Sequence, residues 1–249
     1  MTVIRGILFD KDGTLLDFNS MWIPIAIGLT REVIKELEIS NIKDINSKLL
    51  NSIGVTHGII NPSGVLSVGT VEDIKVCFAS TLIKEKVSSN KIEHLEILVA
   101  DNMKRLIKEN AYLIKPIGDL PKLFDRLKKK NIILGLATSD TFESAKFCLK
   151  QLGVFDYFSF IGGDDGILKS KPHPDLLNEF CLICGLEPEE IAVVGDTPVD
   201  LELARNGRAG MAIAVLSGTN KEADFPKKAD IIIPSVECLV DEKGKLVWE

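Results

Sequence analysis

Basic charge, long apolar runs and paired cysteines are all scarce in this chain of 249 residues. Thirty Lys and Arg face thirty-six Asp and Glu, a formal charge of −6. That sign is wrong for a protein that wraps a polyanion, so no nucleic-acid partner is expected. Apolar stretches such as 132–134 and 22–29 with Pro24 and Gly28 inside it fall far short of the roughly 20 residues that cross a bilayer. No membrane span or membrane partner is expected. Residues 1–9 lead straight into a strand-like stretch with no basic n-region, apolar h-region or small-residue cleavage site, which reads as a cytoplasmic protein. The five cysteines, Cys77, Cys148, Cys181, Cys184 and Cys238, are odd in number and scattered. They form no disulfide framework and fit a reducing compartment. Only Cys181 and Cys184 have metal or redox spacing, and no second ligand cluster exists to complete a zinc site. They read as part of the last turn of a core helix that ends at Gly185. With 45% hydrophobic residues the chain can bury a large core, which excludes a disordered or fibrous protein.

What is present is a recurring grammar. A short apolar run at 4–9 ends in Asp10-Lys11-Asp12-Gly13-Thr14, one at 131–137 ends in Thr138-Ser139-Asp140, and one at 191–194 ends in Gly195-Asp196-Thr197. Weaker strands are predicted at 157–161, 211–215 and 231–233, with helices at 120–130, 142–151, 175–184 and 199–205. Strands of this length alternating with helices of about ten residues predict an α/β fold, a mostly parallel sheet covered on both faces.

More than a hundred residues with almost no strand signal separate the first two strands, too many for an ordinary connection. Apolar residues at three-to-four spacing over 21–37, 42–52, 71–86 and 91–113 predict a helical domain inserted into the core, with 54–64 as a loop. The expected division is a Rossmann-like core at 1–16 and 112–249 and a helical domain at 17–111. No internal repeat or low-complexity tract occurs.

In an open α/β sheet the functional site lies beyond the carboxyl ends of the strands. Asp10 and Asp12, Thr138 and Ser139, and Asp196 and Asp200 all follow strand ends, and Lys171 lies in a loop between them. Gathering four carboxylates at one sheet edge is costly unless a cation sits among them. Hard oxygen ligands without His or Cys select Mg²⁺, which takes one or two protein carboxylates and leaves another free. A free carboxylate beside Mg²⁺ and a lysine is set up to attack a phosphoryl group. A second one two positions on can protonate the leaving oxygen and later take a proton from water. Thr138, with backbone N–H groups at a helix start after it, can bind phosphate oxygens.

These four segments in this order resemble the haloacid dehalogenase-like hydrolase superfamily, and the helical insert resembles its type 1 cap. The phosphoglycolate phosphatase-like members are the most similar in style. The resemblance spans the whole chain, with specific motifs in the core and almost none in the insert. It implies a Rossmann-like core and Mg²⁺-dependent hydrolysis of a small phosphate ester through an aspartyl-phosphate. On the matching positions, Asp10 corresponds to the nucleophile and a metal ligand. Asp12 corresponds to the general acid/base, with its backbone carbonyl on the metal. Thr138, joined by Ser139, corresponds to the phosphate-binding hydroxyl. Lys171 corresponds to the lysine that steadies nucleophile and phosphoryl group. Asp196 corresponds to the direct metal acid and Asp200 to the outer acid. An acid at position 12 fits ester cleavage, because members that displace a halide lack it. The pattern departs from the phosphoglycolate phosphatases at Ser139-Asp140, where Asn-Lys is frequent, at Ser170, where glycine is usual, and at 205–210, about two residues longer than usual.

The resemblance assigns substrate choice to the cap, where Phe18, Asn19 and His57 are candidate substrate contacts. A sugar-phosphate mutase of the β-phosphoglucomutase type shares the architecture and is the alternative enzyme. A phospho-accepting receiver or binding module is the alternative of another class, although receivers carry no such insert after the first strand. A monomer or homodimer is expected.

Overall fold

The computed structural model describes residues 3–39, 41–225 and 229–249. It divides into two compact units, one of Met1–Phe18 with Ile114–Glu249 and one of Asn19–Leu113.

In chain order the elements are β1 (Gly6–Phe9), α1 (Phe18–Glu36), α2 (Ile45–Ser52), β2 (Val55–Thr56), β3 (Ile59–Ile60), α3 (Val65–Val68), α4 (Val71–Lys84), α5 (Ser89–Ile92), α6 (Leu95–Glu109) and α7 (Leu120–Lys129). They continue with β4 (Ile133–Ala137), α8 (Phe142–Gln151), β5 (Phe160–Gly162), α9 (Asp175–Cys184), β6 (Ile191–Gly195), α10 (Pro198–Asn206), β7 (Met211–Val215) and β8 (Ile231–Ile233). Six strands form one parallel sheet in the order β5-β4-β1-β6-β7-β8. β1 lies in the middle because it is buried throughout and pairs on both sides, Phe9 opposite Leu136 and Val194.

The alternation of a strand sorts its side chains onto two faces. Ile7, Phe9, Leu134, Leu136, Ala192, Val194, Ile213 and Val215 pack with Leu120, Phe124 and Leu127 of α7 and Ala145 and Leu149 of α8. Leu8, Ile191, Val193, Ala212 and Ala214 pack on the other face with Leu176, Leu177 and Phe180 of α9 and Leu201, Leu203 and Ala204 of α10. Both faces are covered, which is why β1, β6 and β7 read as near-continuous apolar runs rather than as alternation. All six strands of this sheet point the same way, so their carboxyl ends share one edge of it.

In the second unit α4 packs between α2 and α6, with Leu49, Phe78, Leu82 and Val99 buried. α4 starts at a reciprocal cap: Thr70 accepts from the Asp73 N–H, and the Asp73 carboxylate accepts from the Thr70 N–H at 2.8 Å. Among the described residues no helix is long and apolar enough to cross a membrane.

Three expectations need correction. The 54–64 loop contains a hairpin, β2 with β3, turned at His57 and Gly58 with φ of 50° and 76°, the positive angles that a two-residue hairpin turn demands. The helix expected over 91–113 is split into α5 and α6, with Glu93 and His94 between them. The strand expected at 157–161 is a 3₁₀ turn at Phe155–Tyr157 followed by β5. There Tyr157 is used sideways, its hydroxyl donating to Asp125 at 2.8 Å and its ring against Phe124.

Candidate active site

The loop after β1 is built by its own backbone. The Asp10 N–H extends the ladder to Val194 O at 2.8 Å, and the N–H groups of Leu15 and Leu16 both donate to Lys11 O. Gly13 closes the turn with φ 81°, in the left-handed region where glycine pays no steric penalty. A Cβ on Gly13, or on Gly218 in the loop after β7, would overlap the Asp196 carboxylate. Glycine at these two positions lets both loops close on Asp196 at the end of β6. The Ser217 hydroxyl donates to Gly13 O at 2.7 Å and locks the loops together. Asp196 accepts from the backbone N–H of Thr219, and the Thr14 hydroxyl lies 3.4 Å from its Oδ1.

Carboxylate oxygens of Asp10, Asp196 and Asp200, all buried, lie within 4.8 Å of one another. Lys171 Nζ donates to Asp10 Oδ1 and to Asp200 Oδ1, each at 2.6 Å. The second oxygen of Asp200 accepts from the Thr197 N–H at 3.0 Å and from its hydroxyl at 2.7 Å, at the start of α10. Both oxygens of Asp200 thus serve Lys171 and the helix cap.

Burial pushes the Asp10 carboxyl up to about 7; Lys171 opposes that shift, and Asp200 and Asp12 add to it. Asp196 is pushed well above the usual carboxylate range by burial and by Asp10 and Asp200. Burial works against the charge of Lys171, but Asp10 and Asp200 outweigh it and hold the ammonium protonated. With all three carboxylates ionised against one ammonium, two negative charges would remain in a dry site, which a divalent cation would balance. The donor set is oxygen alone, which suits a hard cation. The buried acidic triad can hold a metal.

Thr138 is buried at the end of β4, its N–H on Gly162 O at 3.0 Å and its hydroxyl oxygen accepting from the Asp140 N–H at 3.1 Å. Ser139 is half-buried. The helix start expected directly after Thr138 lies further on: α8 begins at Phe142 with Thr141 as its cap. The N–H groups of 140, 141 and 142 are engaged by Thr138 Oγ1, Asp140 Oδ1 and Asp165 Oδ1. Asp12 lies in the β1 loop, near enough to Asp10 to raise it, with Oδ2 on Lys11 Nζ at 2.8 Å. Phe18 is buried at the start of α1, while Asn19 and His57, in the helical unit, are exposed.

The structure therefore brings Asp10, Asp196, Asp200 and Lys171 together and sets Asp12 beside them. Two groups went unread in the sequence. One is Lys11, fully buried between Asp12 and Asp140. The other is the 217–219 loop, although Ser-Gly-Thr after the apolar run 211–215 repeats the grammar of the other strand ends.

A family model of the haloacid dehalogenase-like hydrolases matches residues 4–208. The chain belongs to this family. Among relatives of this haloacid dehalogenase-like hydrolase, a phosphoglycolate phosphatase of Aquifex aeolicus is 27% identical over 225 residues, covering 90% of each chain. An N-acetylmuramic acid 6-phosphate phosphatase of Pseudomonas aeruginosa is 24% identical over 241 residues, covering 96% of this chain and 94% of that one. A solved structure named as a predicted phosphoglycolate phosphatase of Haemophilus somnus superposes with a TM-score of 0.71 at 18% identity, covering 95% and 96%. This haloacid dehalogenase-like hydrolase is accordingly an enzyme of the phosphatase kind, and its α/β fold matches that of its solved neighbour.

Proposed function

We propose that the enzyme hydrolyses a small phosphorylated metabolite, a phosphoglycolate-like acid or a sugar phosphate, with Mg²⁺ and through an aspartyl-phosphate on Asp10. The observation that carries this reading is the Lys171 ammonium shared between Asp10 and Asp200 at 2.6 Å, inside an acidic cluster with Asp196 that can hold a divalent cation. Asp10, Asp196 and the backbone carbonyl of Asp12 would hold Mg²⁺, with Asp200 behind them. When bound, Mg²⁺ neutralises the phosphoryl oxygens and the site's surplus charge.

An Asp10 oxygen attacks phosphorus and the ester P–O bond breaks. Asp12 gives its proton to the departing oxygen, so the alcohol leaves neutral. In the second step water attacks phosphorus, Asp12 takes back a proton, and the bond to Asp10 breaks to release inorganic phosphate. Lys171 offsets the repulsion between Asp10 and the incoming phosphate. Thr138 accepts from the Asp140 N–H, so its own proton is left to donate to a phosphoryl oxygen, with Ser139 beside it. Substrate choice is assigned to the helical unit, where Asn19 and His57 are the side chains to vary, together with Phe18 at its entry.

Phosphate release from 4-nitrophenyl phosphate and from a panel of phosphorylated metabolites, with and without chelator, tests the reading. Chelator abolishes turnover, and Asp10→Asn folds normally but releases no phosphate. Retention of near-full activity by that variant sinks the assignment. Accumulation of a bisphosphate without free phosphate assigns the chain to the mutases instead.

A further inference from the structure

Lys11 is the one residue between two acids of the β1 loop, and its side chain is 0% exposed. Its Nζ lies 2.8 Å from Asp12 Oδ2 and 2.9 Å from Asp140 Oδ2. Asp140 is itself fixed on every side. Its Oδ1 accepts the Thr141 N–H at 2.8 Å, its N–H donates to Thr138 Oγ1, and its carbonyl accepts the Asp164 N–H at 2.8 Å. A chain of contacts thus runs from the loop before α8 through Asp140 and Lys11 to Asp12.

Buried ion pairs are a poor source of stability, because desolvating each ion costs several kcal/mol and apolar side chains of the same volume do as well or better. What such a chain supplies is a fixed position. A carboxyl group that must pass a proton to a departing oxygen has to lie within hydrogen-bond reach of it. We propose that Lys11 and Asp140 are positioning residues that hold Asp12 where it protonates the leaving group, and that they set how well the enzyme handles esters of poor leaving groups. The proposal rests on the phosphatase reading above and adds to it two residues outside the Asp10, Asp196 and Asp200 cluster.

The test compares kcat/KM for 4-nitrophenyl phosphate, whose phenolate departs without a proton, with kcat/KM for ethyl phosphate, whose alkoxide needs one. Lys11→Met keeps the stem and removes the ammonium, and Asp140→Asn keeps an oxygen for the Thr141 N–H and removes the charge. Each variant is expected to lose about 10²-fold on ethyl phosphate and less than about threefold on the aryl ester. A merely structural role lowers both substrates alike, so an equal loss, or no loss on either, overturns the proposal. If Lys11→Met does not fold, as judged by circular dichroism and thermal melting, Asp140→Asn decides the matter. A wild-type enzyme that turns over neither ester with Mg²⁺ refutes the phosphatase reading itself and this proposal with it. Turnover by the wild type with equal losses in the variants refutes only the positioning roles.

Discussion

Metal binding at the acidic cluster is coupled to protons, and the sign follows from the burial of Asp10. Its carboxyl is pushed up to about 7 by desolvation, so before a cation arrives it holds a proton below that pH. A cation must displace that proton to use the oxygen. With a titration midpoint near 7, about 10% of Asp10 is ionised at pH 6 and about 90% at pH 8. The apparent Kd for Mg²⁺ is therefore expected to tighten about tenfold from pH 6 to pH 8 through Asp10 alone, about 1.4 kcal/mol. Asp196, also pushed up by burial, acts in the same direction and steepens the slope. Isothermal titration with Mg²⁺ at pH 6, 7 and 8, in buffers of different ionisation heat, reads both the affinity and the protons released. Asp10→Asn, which has no proton to lose at that position, is expected to bind more weakly and with a flatter pH dependence. The same shift bears on stability. Between pH 4 and 7 the folded state holds a proton on Asp10 that the unfolded chain has lost, so the metal-free protein loses stability as pH rises through that window. Mg²⁺ restores it. An affinity constant within about twofold from pH 6 to pH 8 would refute the reasoning, because it would mean that no buried carboxyl gives up a proton when the cation enters.

Removing the ammonium in Lys171→Met leaves Asp10 and Asp200 facing each other in a buried site. It should cost about 3–5 kcal/mol in urea unfolding without metal, less with Mg²⁺, and abolish phosphate release; an unchanged midpoint refutes the pairing. Gly218→Ala puts a methyl group against the Asp196 carboxylate and should cost about 1–3 kcal/mol together with a loss of Mg²⁺ affinity seen by the same titration. Phe180→Ala, in the fully buried layer between α9 and the sheet, should cost about 3–5 kcal/mol by thermal or urea unfolding. The folded fraction should keep its kcat, since the ring packs on the core rather than on the acidic cluster.

The parallel sheet was legible because covering it on both faces makes its strands almost wholly apolar, and a run such as Gly6–Phe9 cannot be read as a surface segment. The acids were legible for the complementary reason. Asp10, Asp196 and their neighbours come directly after such runs, where a parallel sheet gathers all its carboxyl ends. The hairpin at Val55–Thr56 and Ile59–Ile60 was not, since two-residue strands carry no measurable period and His57-Gly58 is not one of the Asn-Gly or Asp-Gly pairs that mark a two-residue hairpin turn.

Lys11 escaped for a deeper reason. A lysine is read as solvated because an unpaired ammonium almost never stays buried, and nothing local contradicts that here. Its charge is matched by Asp12 beside it and by Asp140, 129 positions away, and the second partner reaches it only once β4 lies beside β1. Periodicity and motif spacing are local properties, whereas the neutralising partner of a buried charge is set by strand order. Once the order β4-β1-β6 is known, the acid after β4 and the lysine after β1 must be neighbours at one sheet edge. The Asn-Lys to Ser-Asp departure at 139–140 then gains a physical reading. An acid at position 140 and a lysine at position 11 stand or fall together, so Asp140→Lys in an otherwise unchanged chain should be far more damaging than Asp140→Lys combined with Lys11→Met. A double-mutant cycle on thermal stability and on ethyl phosphate turnover measures that coupling, and additive losses would show that the two residues do not act as a pair.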